Sequence, residues 1–170
     1  MTALVVDAWQ DTAGTAYKEC LQVVTAQWDQ NADQYWWFNG TGATGYYDTG
    51  LNVKITPKKA NSKFFVIADA QGYYDTASTG SGFNISIYRD STQVAGGTSD
   101  TWAGFGNSMT QASSSWSKVR TAYDSPNVAA GITLTYKVYF GRYSSTAARI
   151  GFGWPGYMNF NKIIVMELEA

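Results

Sequence analysis

Period-two alternation of apolar and polar residues is the feature of this chain that leaves the fewest folds open. Over 132–140, Ile132, Leu134, Tyr136, Val138 and Phe140 oppose Thr133, Thr135, Lys137 and Tyr139. Successive side chains of a strand point to opposite faces, so this run predicts a central strand. Leu51, Val53 and Ile55 alternate with Asn52, Lys54 and Thr56 as far as Pro57, which has no amide hydrogen to give to a ladder and closes the strand. Residues 64–70 begin apolar at both parities, the pattern of a strand covered on two sides. Phe83, Ile85 and Ile87 alternate with Asn84, Ser86 and Tyr88, and Arg89-Asp90-Ser91-Thr92 turns the chain towards Gln93-Val94 as a hairpin. Further strands are expected over 21–28, 116–123 and 162–169, the last with Ile164, Met166 and Leu168 on one face.

Between these runs lie Gly-, Ser- and Thr-rich stretches at 39–45, 75–82, 95–108 and 141–151, with the composition of loops. No window holds a sustained helical period bounded by caps, apart from a weak one over 12–20. Many short strands, Gly-rich turns and almost no helix predict an all-β fold, a sandwich, jelly roll or barrel, of which a single jelly-roll-like antiparallel β-sandwich is the expectation carried forward. A chain of 170 residues suffices for one well-buried domain and not for a second core. We assign that domain to residues 21–170. Residues 1–20 lie outside the strongest alternation and are expected to form an N-terminal arm that lies on a neighbouring chain, with Leu4, Val5, Val6 and Trp9 as its apolar contacts.

Composition then narrows function. The chain has no His, the side chain that most often moves protons near neutral pH or ligates transition metals. Its twelve Lys and Arg are scattered against thirteen Asp and Glu, for a net charge of −1, so no basic face is expected for a nucleic acid. Cys20 stands alone, which excludes an intrachain disulfide and a Cys-based zinc site within one chain. No positively charged leader or long apolar run predicts secretion or membrane insertion; synthesis in a cytoplasm is expected.

Without His there is no Ser–His or Cys–His pair to make a nucleophile. The acids Asp48, Asp75, Asp90, Asp100 and Asp124 sit beside Gly, Ser or Thr, where Asx side chains cap turns. A catalytic carboxylate pair of the glycosidase type is therefore not expected, and we expect no catalytic residue and no cofactor. Asp29, Asn31 and Asp33 echo the opening of a calcium loop, but Gln34 stands at the sixth position and Gly40 at the twelfth, so a polar turn without metal is expected. Asn39-Gly-Thr41 and Asn84-Ile-Ser86 match the glycosylation pattern but lack a secretion signal.

Seven Trp and twelve Tyr carry the remaining functional signal. They gather in Tyr35-Trp36-Trp37-Phe38, Tyr46-Tyr47, Tyr73-Tyr74 and Trp154-Pro155-Gly156-Tyr157. Neighbours on a strand face opposite ways, so each pair sends one ring away from the core that takes the other. Trp36, Trp37, Tyr46, Tyr47, Tyr73 and Tyr74 are the candidate contacts, for a surface glycan through ring stacking or for a partner subunit. Core or subunit packing is the preferred role.

Several segments, taken in order, resemble a known family. They are Leu21-Gln-Val-Val24, Gly50-Leu-Asn-Val-Lys-Ile-Thr-Pro57 with Asn61-Ser-Lys63, Ile87-Tyr-Arg-Asp-Ser-Thr-Gln-Val94, and Tyr123-Asp-Ser-Pro126 followed by Thr135-Tyr-Lys-Val138. With the ending Ile163-Ile-Val-Met-Glu-Leu-Glu-Ala170 they are similar to domains of marine bacteriophage virion proteins, particularly cyanophage tail-fibre-like and structural proteins. The resemblance spans roughly residues 21 to 170 and implies a compact β domain, a homotrimer displayed on a virion and without enzymatic activity. Expected partners are other copies of the chain, tail or capsid proteins, and a host surface glycan. Capsid decoration on the head shell is the alternative within the class; a soluble carbohydrate-binding module is the alternative outside it. The aromatics at 35–38 and 73–74 and the first twenty residues depart from the family pattern, so this chain's particular binding is expected there.

Overall fold

The alternating runs become strands of two antiparallel sheets. The computed structural model describes residues 20–27, 36–38, 45–76, 82–96, 114–143, 149–152 and 161–169. In chain order the strands are β1 (Cys20–Gln27), β2 (Trp36–Phe38), β3 (Gly45–Ile55), β4 (Lys63–Thr76), β5 (Gly82–Arg89), β6 (Thr92–Ala95), β7 (Ser114–Asp124), β8 (Leu134–Tyr143), β9 (Arg149–Phe152) and β10 (Lys162–Leu168). The first sheet has six strands, β1-β10-β4-β9-β2 with β7 also paired to β4, and the second has four, β3-β8-β5-β6. Without the short β2 and β9, the order is β1-β10-β4-β7 facing β3-β8-β5-β6, which is the winding of a jelly roll.

The fourteen-residue β4 organises the first sheet. Residues 64–74 pair β7 along one edge. Residues 63–69 pair β10, and 72–76 pair β9. Because Gly72, Tyr73 and Tyr74 pair β7 and β9 at once, β9 occupies the edge opposite β7 and continues the line of β10.

One parity of each strand fills the core. Leu51, Val53 and Ile55 of β3, Phe64, Val66 and Ala68 of β4, and Ile85 and Ile87 of β5 are buried, with Tyr136, Val138 and Phe140 of β8 and Ile163 and Val165 of β10. Each large apolar side chain removed from water in this way contributes about 1.5–3 kcal/mol. At one end the turns are tied across the sandwich: the Gly131 amide donates to the Pro57 carbonyl (3.0 Å) and the Asn61 amide to the Val128 carbonyl (2.8 Å). The β5–β6 hairpin turns at Asp90-Ser91, with Asp90 at φ 53°. The Asp90 amide donates to the Thr135 carbonyl (2.7 Å), and its carboxylate accepts the Thr135 amide (3.1 Å).

Several expectations need correcting. The strand predicted from Ile132 begins at Leu134. Ile132 is 53% exposed, because the Gly131 turn, at φ 83°, is held by Pro57 instead of by a ladder. The stretch 141–151, expected as loop, supplies the end of β8 and most of β9, since ladder pairing asks for backbone groups and not for side chains. On β10 Ile164, Met166 and Leu168 share one face as expected, and it is the outer one; the core takes Ile163, Val165 and Glu167. On β4 Phe64, Val66 and Ala68 are fully buried, whereas Phe65 and Ile67 lie on the sheet's outer face and are half-buried. Residues 1–19, all but the last residue of both the expected arm and the weak helical window, lie outside the described residues; that last residue, Cys20, opens β1.

Candidate functional site

Register aligns Gln22, Glu167, Phe64 and Asp124 in one cross-strand row at the end of the first sheet where β1 starts and β10 ends. The row shares the inward parity of Phe64, so two carboxylates flank a buried ring. Glu167 is fully buried. It accepts from the Ser62 hydroxyl (2.6 Å), the Gln22 side-chain amide (2.6 Å) and the backbone amides of Lys58 (2.8 Å) and Lys59 (3.3 Å). Burial alone would raise its carboxyl, but these four donors outweigh burial and hold it below the usual carboxylate range.

Asp124 is bound as fully. Arg89 Nη1 lies 2.6 Å from both of its oxygens, and the Tyr136 hydroxyl donates to Oδ2 at 2.7 Å. Burial, and then the bond to Asp124, push the Tyr136 phenol far above its ordinary range. The Tyr136 ring packs 5.8 Å from that of Phe64. Chemically, both carboxylates act as clamps: Glu167 ties the β3–β4 connection to β1 and β10, and Asp124 ties the two sheets together. Of the acids expected in turns, Asp48 and Asp90 accept local or turn amides, whereas Asp124 ends a strand and Asp75 lies within β4. Glu167 drew no functional reading from the sequence. The available signal was an acid sharing parity with Ile163 and Val165.

The aromatic candidates converge on the opposite end of the sandwich. Trp36 pairs Phe152, which pairs Gly72, which pairs Trp116; the next row runs Trp37, Gly151, Tyr73, Ser115, and the next places Tyr74 between Ile150 and Ser114. In the second sheet Tyr46 is opposite Gly141, itself opposite Asn84, and Tyr47 is opposite Phe140. Arg120 Nη2 donates to Asn84 Oδ1 at 2.7 Å and so joins the sheets at this level. All six positions therefore sit in strand segments remote from the paired Cys20 and Leu168. Leu4, Val5, Val6, Trp9, Asp29, Asn31 and Asp33 lie outside the described residues. Among the described residues no three Cys, Asp or Glu come together as a metal-holding group, and no helix is long and apolar enough to cross a membrane.

The two outer faces differ in character. On the second sheet the outward row is Asn52, Lys137 and Tyr88, with Tyr88 stacked on Tyr139 at 4.1 Å between ring centroids. On the first sheet the outward rows are Val23–Met166–Phe65–Tyr123, Thr25–Ile164–Ile67–Thr121 and Gln27–Lys162–Asp69–Val119. Val23, Val119 and Tyr123 are 54%, 58% and 61% exposed. The sequence signal for this face was the apolar run at both parities in 64–67 and 163–166.

No protein-family model and no curated protein matches the chain. Among solved structures, it is similar to that of the infectious bursal disease virus Gx strain, at 9% identity and a TM-score of 0.48, over 99% of this chain and 41% of that one. It is similar to the VP2 subviral particle of the same virus at 11% identity and 0.45, over 100% of this chain and 42% of that one. Dimeric latent PorU from Porphyromonas gingivalis follows at 14% and 0.44, over 95% of this chain and 14% of that one. The chain thus spans less than half the length of each, and it is the strand order, not these likenesses, that assigns the jelly roll.

Proposed function

We propose that this protein is a non-enzymatic structural component of a bacteriophage virion, displayed on the particle surface in a tail-fibre or host-recognition appendage as an assembly of like copies. The observation that carries the reading is polarity. Register puts Cys20 opposite Leu168 at one end of the sandwich and the six aromatic positions in strand segments at the other. A domain held at its β1 start, with aromatic positions gathered at the other end, suits attachment followed by contact. Leu4, Val5, Val6 and Trp9 precede the held end and are the proposed docking residues on a neighbouring chain or virion protein.

The buried acids support a role without chemistry. A hydrolytic pair needs a cleft and free lone pairs, whereas Glu167 and Asp124 are occupied by the protein's own donors on either side of Phe64. Decoration of the head shell uses the same architecture with a different docking partner. The clustering of Trp36, Trp37, Tyr46, Tyr47, Tyr73 and Tyr74 at one end also favours a second reading, a soluble carbohydrate-binding module, because rings beside Gly-rich strands stack on sugars.

Antibody labelling of purified particles by electron microscopy separates these readings. Label on the tail is the expected result, label on the head shell assigns decoration, and protein absent from particles overturns the virion reading. On a glycan array, Trp36→Ala and Trp37→Ala are expected to weaken binding at least tenfold if the ring-bearing end is the receptor contact.

A further inference from the structure

We infer that the outer face of the first sheet, centred on Phe65, Ile67, Ile164 and Met166, is the surface on which a second copy of this chain packs. The inference deepens the virion reading by naming the self-assembly face, and rests on it only for the choice of a like partner.

The opposite faces of the same molecule supply the contrast. The second sheet's outward row carries the polar groups of Asn52, Lys137 and Tyr88, of which Asn52 is exposed and the other two are half-buried, the usual polar side of an antiparallel sheet. The first sheet breaks that pattern in its two inner strands. Phe65 and Ile67 of β4 lie beside Met166 and Ile164 of β10, and the flanking Val23, Val119 and Tyr123 are more than half exposed. Among the described residues, nothing covers these three.

Area and charge select the occupant. Four strands at about 4.8 Å spacing and seven residues at about 3.4 Å span roughly 400 Å² in projection, at the scale of functional patches on monomers. Two such faces with their side-chain relief bury on the order of 1,000 Å², the lower bound of a specific interface. Of the charges on this parity of β4 and β10, Lys162 and Asp69 pair at 3.8 Å and Lys63 stands at the rim beside Leu168, so like charge is confined to the edge of the face. The inner rows present methyl, thioether and phenyl groups with hydroxyls only at Thr25, Thr121 and Tyr123. That is a poor reader of a sugar, which needs convergent polar groups, and a good partner for another sheet packed about 10 Å away.

Sedimentation equilibrium on the full chain tests this. The wild type is expected at a multiple of 18.6 kDa, and Val23→Lys/Val119→Lys at the monomer mass, with far-UV circular dichroism and a cooperative melt unchanged. If that variant fails to fold, Tyr123→Lys replaces an already exposed ring and is expected to weaken association at least tenfold. A monomeric wild type overturns the inference, as does a folded variant that keeps the wild-type mass. Deleting residues 1–19 is expected to leave the oligomer; reduction to monomer by that deletion alone makes the N-terminal segment the occupant and overturns it too. Glycan binding by a monomeric wild type that is lost in Val23→Lys/Val119→Lys has the same effect. Particle labelling reads the virion role separately: an unlabelled particle with an intact oligomer sinks that role and leaves this interface, and a labelled particle with a monomeric chain does the reverse.

Discussion

Glu167 shows how one residue can hold a connection in place. Its carboxylate is buried among hydrocarbon yet meets four donors, two of them backbone amides of the β3–β4 connection. Glu167→Gln replaces an acceptor oxygen with an NH₂ group that faces those donors, and is expected to cost about 2–4 kcal/mol, with Glu167→Ala at or above the upper end; urea unfolding at neutral pH measures both. The sign of the pH dependence follows from its lowered proton affinity. The folded carboxyl titrates below its unfolded value of 4.5, so its contribution is complete above that pH and fades as pH falls through the folded value. The urea midpoint of the wild type should therefore drop below pH 4.5 more steeply than that of Glu167→Gln. This clamp was only half legible in the sequence. In Ile163-Ile164-Val165-Met166 both parities are apolar, so alternation cannot say which side faces inward; the neighbours β1 and β4 decide it through register.

At the scale of elements, β3 and the β5–β6 hairpin carry two glycines with different demands. Gly50 lies at φ 79° in a bulge where β3 slips register against β8, with open space where a Cβ would go. The bulge is capped locally: its amide donates to Asp48 Oδ1 (2.9 Å), and the Asn52 side chain donates to its carbonyl (2.8 Å). Gly96, at φ 139°, has no such room, because a Cβ there would stand 2.0 Å from Ser86 Oγ. Gly50→Ala is thus expected to cost about 1–2 kcal/mol from backbone strain alone, and Gly96→Ala at least about 1 kcal/mol more from overpacking. Thermal melts should show the larger Tm drop for Gly96→Ala, with part of it recovered in Ser86→Gly/Gly96→Ala. The long strands were readable because five or more alternating positions outvote an exception. Three- and four-residue strands such as β2 and β9 offer no such majority, and Gly151 hides the second within a loop-like composition.

For the molecule as a whole, the sandwich was legible while its wiring was not: alternation names strands, and pairing depends on which edges meet after collapse. Alternation and turn composition left sandwich, jelly roll or barrel open, and the order β1-β10-β4-β7 over β3-β8-β5-β6 selects the jelly roll. The aromatic clusters were legible as candidates from sequence, but their gathering at one end became visible only through the rows that β9 builds between β2 and β4. Pairing residues 20–27 with 162–168 also defines a closed circuit. Antiparallel partners lie about 5 Å apart, so a short glycine-rich bridge from Leu168 to Cys20 can join them without moving either strand. A circular permutant opened at the exposed Asp90-Ser91 tip should then keep the wild-type circular dichroism and a single cooperative melt. The covalent order of the strands would be rewritten while every ladder survives, which makes this domain a scaffold whose point of tethering an engineer can choose.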